Sequence, residues 1–510
     1  MSSRLAKTVW VLGDQLNRNL THLRTAQPNE TRVLFIVSLS KLQSAPWHQQ
    51  RLHFILTSMK RFANSLANDG FSVDWRVAET MGAGLQAHVD EFSPSEISVM
   101  QPMNRSGQNL IDSLARTFPI SVTASDQFLC SREQFAEWAS ENTRKDGSLL
   151  MEDFYRWQRR RLNILIDPDG EPVGGRWNYD DENRLPPPKG KHEWPSIDRR
   201  ELDAVDAEIT DFLESIDGLN MTGDPPTGLW ATDHDGAFHQ LQQFLSTSIA
   251  NFGPYEDAIV DDEPYLNHSL LSPYLNSGLL HPREVVDAVA ELGDEIPLNS
   301  KEGFIRQVIG WREYVHGLYW WFGPDYASEN YFDDDAPVPP AFTGGDTEMN
   351  CVAHVAKWVA RDAWTHHIPR LMVLANLATL AGIDPSKMMR WMWASFIDGA
   401  EWVMAPNVIG MGMYADGGRM STKPYVSGGN YLSKMTNFCG DCTFDRKART
   451  GDKACPFTTL YWDFLDRNRD VLRSNHRMAR VYANLDRLAD LDQVRERAVE
   501  VRGRLIAGTI

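Results

Sequence analysis

The sequence predicts an α/β N-terminal domain built on a doubly wound parallel sheet, followed by a large all-helical domain. Three observations predict it. Short β-rich apolar runs alternate with helical patterns over residues 8–125, the chain turns dense in Gly, Pro and charge over 167–191, and beyond about residue 200 helical periodicity takes over.

In order along the chain, TVWVLG, RVLFIVS, FSVDWRV, ISVMQ and ISVTA read as strands, each apolar enough to be buried on both faces of a parallel sheet. QQRLHFILTSMKRFANSLANDG, stopped by Gly70, and GQNLIDSLARTF read as crossover helices. Gly13 before Asp14-Gln15-Leu16 reads as a tight turn, since one glycine makes no dinucleotide fingerprint. DPDGEPVGGRWNYDDENRLPPPKGK reads as a surface connection. The expected divisions are 1–135 for the sheet domain, 136–200 for the connection and 201–510 for the helical domain. In the last, ELDAVDAEITDFLESI, GFIRQVIGWREYVHGLYWW, IPRLMVLANLATLAG and SKMMRWMWASFIDGAEW carry helical patterns, interrupted by the acidic loop ENYFDDDAPVPPAFTGGD.

A chain of 510 residues with 42% hydrophobic composition and mean hydropathy −0.40 has room for two or three packed domains and no disorder signature. MSSRLAKTVWVLGDQL has neither a secretory h-region nor the Arg-rich character of a transit peptide, and no run approaches membrane-spanning length. The expectation is a cytoplasmic monomer without a membrane partner. Five cysteines argue against a disulfide framework and for metal or redox chemistry. Net charge −18 argues against sequence-blind coating of nucleic acid and leaves room for a local basic groove.

Three of those cysteines fall in NFCGDCTFDRKARTGDKACPF. A two-residue spacer aims Cys439 and Cys442 at one point, Gly451 allows the return loop to Cys455, and Pro456 keeps a regular helix from starting at that residue. Cys351 and Cys130 are the candidates for a fourth ligand, and Cys351 shares the helical domain. Four thiolates suit Zn²⁺ or an iron–sulfur cluster, and spacing alone favours zinc slightly, since structural zinc sites use similar spacings. Cys130, just after a strand, reads as a buried core residue.

Four further stretches carry polar groups that packing alone does not require. NHSLLSPYLNSGLLHPREV sets Ser269 and Ser272 around a Pro-started turn, a pyrophosphate cradle at a helix start. FIRQVIGWREY concentrates Arg, Gln, Trp and Glu on one helix, HHIPRLM groups His366, His367 and Arg370, and FIDGAEWVMAPN supplies Asp398 and Asn407. Singly, each has a structural reading: Ser-Pro turns are common, Trp311 suits a core, and a His pair is more often structural than catalytic. Together with G-D-Q-L, G-G-x-W-N (Gly174, Gly175, Trp177, Asn178), M-N-C (Met349 to Cys351), E-W-V, D-G-G, K-P-Y and C-P-F, in this order, they resemble the photolyase/cryptochrome flavoproteins along essentially the whole chain. The match is to their iron–sulfur bacterial group, the prokaryotic (6-4) photolyases.

The resemblance implies light-driven repair of (6-4) photoproducts in UV-damaged DNA, single- or double-stranded, by electron transfer from reduced FAD. A blue-light photoreceptor with the same cofactors is the alternative, and a zinc-stabilised helical protein is the reading outside the family. It implies Cys351, Cys439, Cys442 and Cys455 as ligands of a [4Fe-4S] cluster. It places Ser269, Leu270 and Ser272 at the FAD phosphates with Gln307 and Glu313 beside them, and Asp398 and Asn407 near the isoalloxazine. Arg370 pairs with Asp398, and His366 is structural or a flavin contact. His367 faces the substrate and manages a proton, and Tyr425 lines the same pocket. Trp391, two turns before Asp398 on the same predicted helix, is the candidate electron relay. Members often carry a 6,7-dimethyl-8-ribityllumazine antenna in the sheet domain.

Departures from the pattern are Leu371 where animal enzymes have a further histidine, Met404 where Glu commonly follows E-W-V, and SLSKLQSAPWHQQRL where members often show acidic residues and paired histidines. Arg446, Lys447, Arg449 and Lys453 on the cysteine loop suit DNA phosphate. Arg156 and Arg159 to Arg161 form a second basic run, which an exposed helix side explains as well.

Overall fold

The computed structural model describes residues 5–510; residues 1–4, which open the segment read above as leaderless, lie outside the described residues. Its strands are β1 (Lys7–Trp10), β2 (Thr31–Ser38), β3 (Trp47–His48), β4 (Ser72–Ala78), β5 (Glu96–Met100), β6 (Ile120–Thr123) and β7 (Met221–Thr222). Five of them form one sheet in the order β4-β2-β1-β5-β6, every pairing parallel. The order reverses between β1 and β5, which is the doubly wound arrangement. β1, β2 and β5 are largely buried on both faces, as expected, but the edge strands β4 and β6 are only half-buried, with Val77 and Val122 exposed.

The crossover helices Gln49–Asn68 and Arg105–Leu114 lie where periodicity puts them. A third, Met81–Phe92, was not legible because Gly82 and Gly84 weaken its helical signal. Thr80 caps it by accepting from Ala83 N, and a Cβ at position 84 would come 2.6 Å from Ile36 Cγ2, so this glycine lets the helix sit close on β2.

The stretch 136–200 differs from a bare connection. Helix Arg132–Asn142, started by a Ser131/Gln134 capping box, runs through position 136, and helix Met151–Leu162 follows. Phe135, Trp138, Phe154 and Tyr155 lock both into the main core beside Tyr314. Irregular chain then dominates until helix Ala204–Glu214. The Gly-Gly pair lies there with φ of +76° and +73°, and a side chain on Gly174 would strike the Tyr179 hydroxyl at 2.3 Å.

Beyond residue 204 helices joined by loops make up the chain, with β7 as the one strand, which pairs in parallel with β3 and stitches the two halves together. Two-residue strands carry no periodicity, so neither was legible. Three helices contain π-helical segments, Arg306–Arg312, Pro369–Ala375 and Ala405–Gly412. They hold Gln307, Arg370 and Asn407, and π-turns of this kind recur at functional sites. Helix Pro385–Ser395 ends where Phe396 turns extended (φ −103°, ψ 139°), so Trp391 and Asp398 do not share a helix; Asp398 sits in the turn beyond it. Among the described residues, no helix is long and apolar enough to cross a membrane.

Candidate active site and cysteine centre

The turn after helix Pro385–Ser395 presents Asp398 to Arg370. Nη1 and Nη2 donate to Oδ1 and Oδ2 at 2.9 and 3.1 Å, a bidentate pair with Asp398 buried. Ser272 Oγ also donates to Asp398 Oδ2 (2.7 Å), and Asn276 Nδ2 donates to its carbonyl (3.0 Å). Arg370 is steadied by the Thr365 carbonyl (2.7 Å) and lies 4.2 Å over the Phe396 ring. Sequence reasoning missed Arg51. From the first crossover helix, its buried Nη1 donates to the carbonyls of Phe396 (3.0 Å) and Ile397 (3.4 Å) and fixes the turn that carries Asp398. Nothing local could have found a partner 345 positions away.

Beside this pair stands a histidine array. His268 stacks on His366 with ring centres 4.1 Å apart, and His367 meets His268 edge-on at 5.7 Å. Their nearest ring nitrogens lie within 4.8 Å of one another. Two stacked rings direct their in-plane lone pairs side by side rather than at one point, a poor geometry for chelation. Burial pushes His268 and His366 well below the ordinary histidine range, with the neighbouring histidines adding to it. Both are neutral at pH 7. His367 is half-exposed and has Asp257 Oδ1 at 3.8 Å. Tyr425 stands on the exposed rim within electrostatic reach of Asp180, Arg184 and Arg477, and makes no hydrogen bond to His367.

Behind the rim, Gln307 Nε2 donates to Glu256 Oε1 at 2.6 Å and Asn183 Nδ2 to its Oε2 at 3.3 Å. Burial lifts Glu256 to about 7, opposed by Arg306 and His367. Glu256 and His268 are further residues that sequence reasoning missed.

The remaining expected positions fall as follows. Glu313 is not beside Gln307: it accepts from Cys130 N (2.8 Å) and Arg312 Nη1 (3.0 Å), a buried strut under the sheet domain, because six residues along a π-containing helix turn it to another face. Ser272 is at Asp398 rather than free at the short helix start, and Ser269 Oγ accepts from Leu271 N at 3.4 Å. Leu270 is buried with φ +57°, a left-handed kink between the two serines. Asn407 Nδ2 donates to the Val403 carbonyl (2.9 Å). Trp391 packs between Phe342 (5.3 Å) and Phe396 (6.0 Å), and the latter ring underlies Arg370. Met404 is buried at the start of the Asn407 π-segment.

Whether these residues fit a flavin nucleotide can be read from their unpartnered atoms. Asn267 Nδ2, His268 Nε2, Thr365 Oγ1 and His366 Nδ1 are buried without hydrogen-bond partners, and they come from two adjacent pairs flanking Arg370 and Ser272 in sequence. Such a cluster of donors and acceptors suits a large polar ligand.

The four cysteines come together. Cys351 opens helix Asn350–Asp362, whose Asn350 Nδ2 donates to the Phe438 carbonyl (2.9 Å) beside Cys439. The return loop closes through Gly451 (φ +80°) and Cys455 N donating to Asp445 O (3.1 Å). Cys455 then caps helix Pro456–Arg467, so Pro456 starts that helix directly after the thiol rather than delaying it. Burial and the other three sulfurs push the Cys351 thiol far up, and burial lifts Cys455 to about 11. Four thiolates this close require a positive centre. Among the described residues no three cysteine sulfurs lie within 4.8 Å of one another. Four thiolates suit Zn²⁺ or an iron–sulfur cluster. Cys130 is apart and buried. Of the loop cations, Arg449 is engaged by Asp490 (2.9 Å).

A sheet domain joined to a helical domain with a buried Arg–Asp pair defines the class of fold. It is that of a bacterial class III photolyase from Agrobacterium tumefaciens, whose crystal structure matches with a TM-score of 0.58 at 18% identity, over 99% of this chain and 98% of that one. Residues 9–225 match the family described as deoxyribodipyrimidine photo-lyase-related protein. A (6-4) photolyase of Agrobacterium fabrum is 39% identical over 500 residues, 95% of this chain and 96% of that one. An uncharacterized protein of Acanthamoeba polyphaga mimivirus is 30% identical over 135 residues, 26% of this chain and 100% of that one. This chain belongs to the photolyase family.

Proposed function

We propose that this protein repairs (6-4) pyrimidine photoproducts in UV-damaged DNA, using light and FAD. The observation that carries the reading is the relationship to a (6-4) photolyase along 95% of the chain. The chemistry supplied when reduced FAD is bound is a blue-light-driven loan of one electron to the lesion.

The chain's own residues bind, orient and move a proton. Arg370 and Asp398 would hold the isoalloxazine edge with Asn407, while Ser269, Leu270, Ser272 and Gln307 would face the phosphates. The Ser272 hydroxyl donates to Asp398 Oδ2 and so also orients that carboxylate. Glu313 supports the fold from the other face. His366 is held neutral by burial, whereas His367 stands half-exposed with the Asp257 carboxylate 3.8 Å from its Nε2. Of the three histidines His367 alone is open to solvent, and it is the one that passes a proton to the lesion hydroxyl, while Tyr425 lines the mouth. Trp391 carries an electron between the site and the surface. Cys351, Cys439, Cys442 and Cys455 hold a [4Fe-4S] cluster that fixes the basic loop. A ribityllumazine antenna belongs to the same reading, but the His48 ring bonds to the Ala360 carbonyl (2.9 Å) and Trp47 packs edge-on against Trp393 (5.2 Å), so its site uses other side chains.

Met404, buried where relatives commonly carry Glu, favours the photoreceptor as second reading. Blue-light illumination of reduced, FAD-loaded protein with (6-4)-containing single-stranded DNA separates the two. Restored thymines are expected, and His367→Ala is expected to keep its flavin and lose repair. Equal turnover by that variant removes His367 from the mechanism; no repair by the loaded wild type makes the photoreceptor the better account.

A further inference from the structure

Helix Met151–Leu162 carries four arginines, which the fold divides into two kinds. Arg159 is fully buried and donates to the carbonyls of Ile164, Leu165 and Trp177, so it is a core strut and no part of a basic face. Arg161 is held by Gln158 Oε1 and the Leu129 carbonyl. Arg156 and Arg160 are exposed, one turn apart on one face, and have neither a hydrogen bond nor a carboxylate partner among the described residues. Their contacts are with a ring: the Arg160 guanidinium lies 4.5 Å and that of Arg156 6.0 Å from the centre of Trp177.

Like charges at this spacing oppose each other on a helix; Glu137 and Glu141 share a second groove with Arg156 and Arg160 without pairing with them, and the carboxylates on the Trp177 side are occupied. Asp181 and Glu182 pair with Arg176, Asp180 with Arg184 and Arg306, Glu152 accepts from Asn178, and Asp153 lies 3.9 Å from Arg144. Arg156 and Arg160 are therefore two cations on one helix face without an ion-pair partner among the described residues. This face borders an open groove of about 400 Å³ lined by Arg156, Arg176, Trp177, Asn178, Asp180 and Asp181. Of its lining residues, Asp180 binds Arg306 (3.0 Å), the neighbour of Gln307, and lies in electrostatic reach of Tyr425 on the rim of the candidate site.

We infer that Arg156, Arg160 and Trp177 form a subsite for the unpaired nucleotides that flank the lesion on one side. The inference rests on the DNA-repair reading and adds the direction in which the strand leaves the site. The two guanidiniums neutralise phosphates, and the indole with its overlying guanidinium gives a base a stacking platform. A groove in the size range of small-ligand sites has room for a single nucleotide. Stacking requires an unpaired base, so this subsite favours single-stranded over duplex flanks.

The test uses the FAD-loaded, full-length protein and two single-stranded oligonucleotides, one with the (6-4) lesion at its 5′ end and one with it at its 3′ end. Fluorescence anisotropy over a salt series should show the Arg156→Gln/Arg160→Gln variant binding one of them about tenfold more weakly, with a log–log salt slope smaller by about 1.4, for two phosphates. The oppositely extended oligonucleotide should be bound alike by variant and wild type. Arg156→Lys/Arg160→Lys should recover the salt slope and not the full affinity, since ammonium groups keep the charge but lose the planar stack. Unchanged binding of both oligonucleotides, or equal weakening of both, overturns the subsite while wild-type repair upholds the function. Wild type that binds neither overturns both.

Discussion

Asp398 accepts from both Arg370 nitrogens and from Ser272, while Arg51 anchors the two carbonyls before it. Asp398→Asn keeps the shape and leaves the Arg370 charge unbalanced. Breaking a buried pair costs about 3–5 kcal/mol, and Arg370, 19% exposed, recovers some of that from water, so about 3 kcal/mol or less is expected. Urea melts should show that loss, accompanied by flavin release on gel filtration; wild-type stability and flavin content would contradict the assignment. Glu256 gives a pH signature. Its carboxyl sits at about 7 against an ordinary 4.5, so the folded protein holds a proton that the unfolded chain has already released. This stability is complete below about pH 4.5 and is lost as pH rises through about 7. Glu256→Gln cannot titrate, so it should gain on wild type by up to about 3 kcal/mol across that window. Parallel stability–pH curves for the two would refute the buried-acid account. The Arg370–Asp398 pair was legible because both members sit in recognisable motifs. Arg51, Glu256 and His268 were not, because their partners come from distant segments and only folding brings them close.

Among the elements, patterns were readable where one face is apolar over ten residues or more, as in Gln49–Asn68, and unreadable where geometry overrides propensity. Helix Met81–Phe92 is such a case. Gly84→Ala should gain about 1 kcal/mol of helix propensity but force a methyl to 2.6 Å from Ile36, and overpacking typically costs about 1–3 kcal/mol. Net destabilisation is therefore expected by thermal melting, and a raised midpoint would show that the helix–sheet contact relaxes freely. The three π-segments were likewise hidden, since nothing in periodicity distinguishes an extra residue per turn over so short a stretch. Yet each carries one residue that the resemblance assigns to the flavin. The helix ending at Ser395 moved Asp398 into a turn, which weakens the argument from sequence spacing for Trp391 but leaves the ring packed against Phe396, below Arg370.

Over the whole molecule, the parallel sheet and the helical second part were legible in the alternation of patterns. The stretch 136–162 was not, because loop-like composition on either side masks two helices whose aromatic residues complete the core. The halves are held together by contacts that composition cannot show. His48 bonds to the Ala360 carbonyl at 2.9 Å, Gln50 donates to the Pro225 carbonyl at 2.9 Å, and β3 pairs with β7. Through Arg51 the sheet domain also reaches the Asp398 turn, so the active site depends on both parts. The most direct test of the account is blue-light repair by the reduced, FAD-loaded protein, measured on two otherwise identical oligonucleotides, one bearing a (6-4) photoproduct and the other a cyclobutane dimer. The account predicts light-dependent restoration of thymines from the (6-4) substrate, at a rate well above that from the dimer. Restoration from the dimer alone, or equal conversion in the dark, would contradict it.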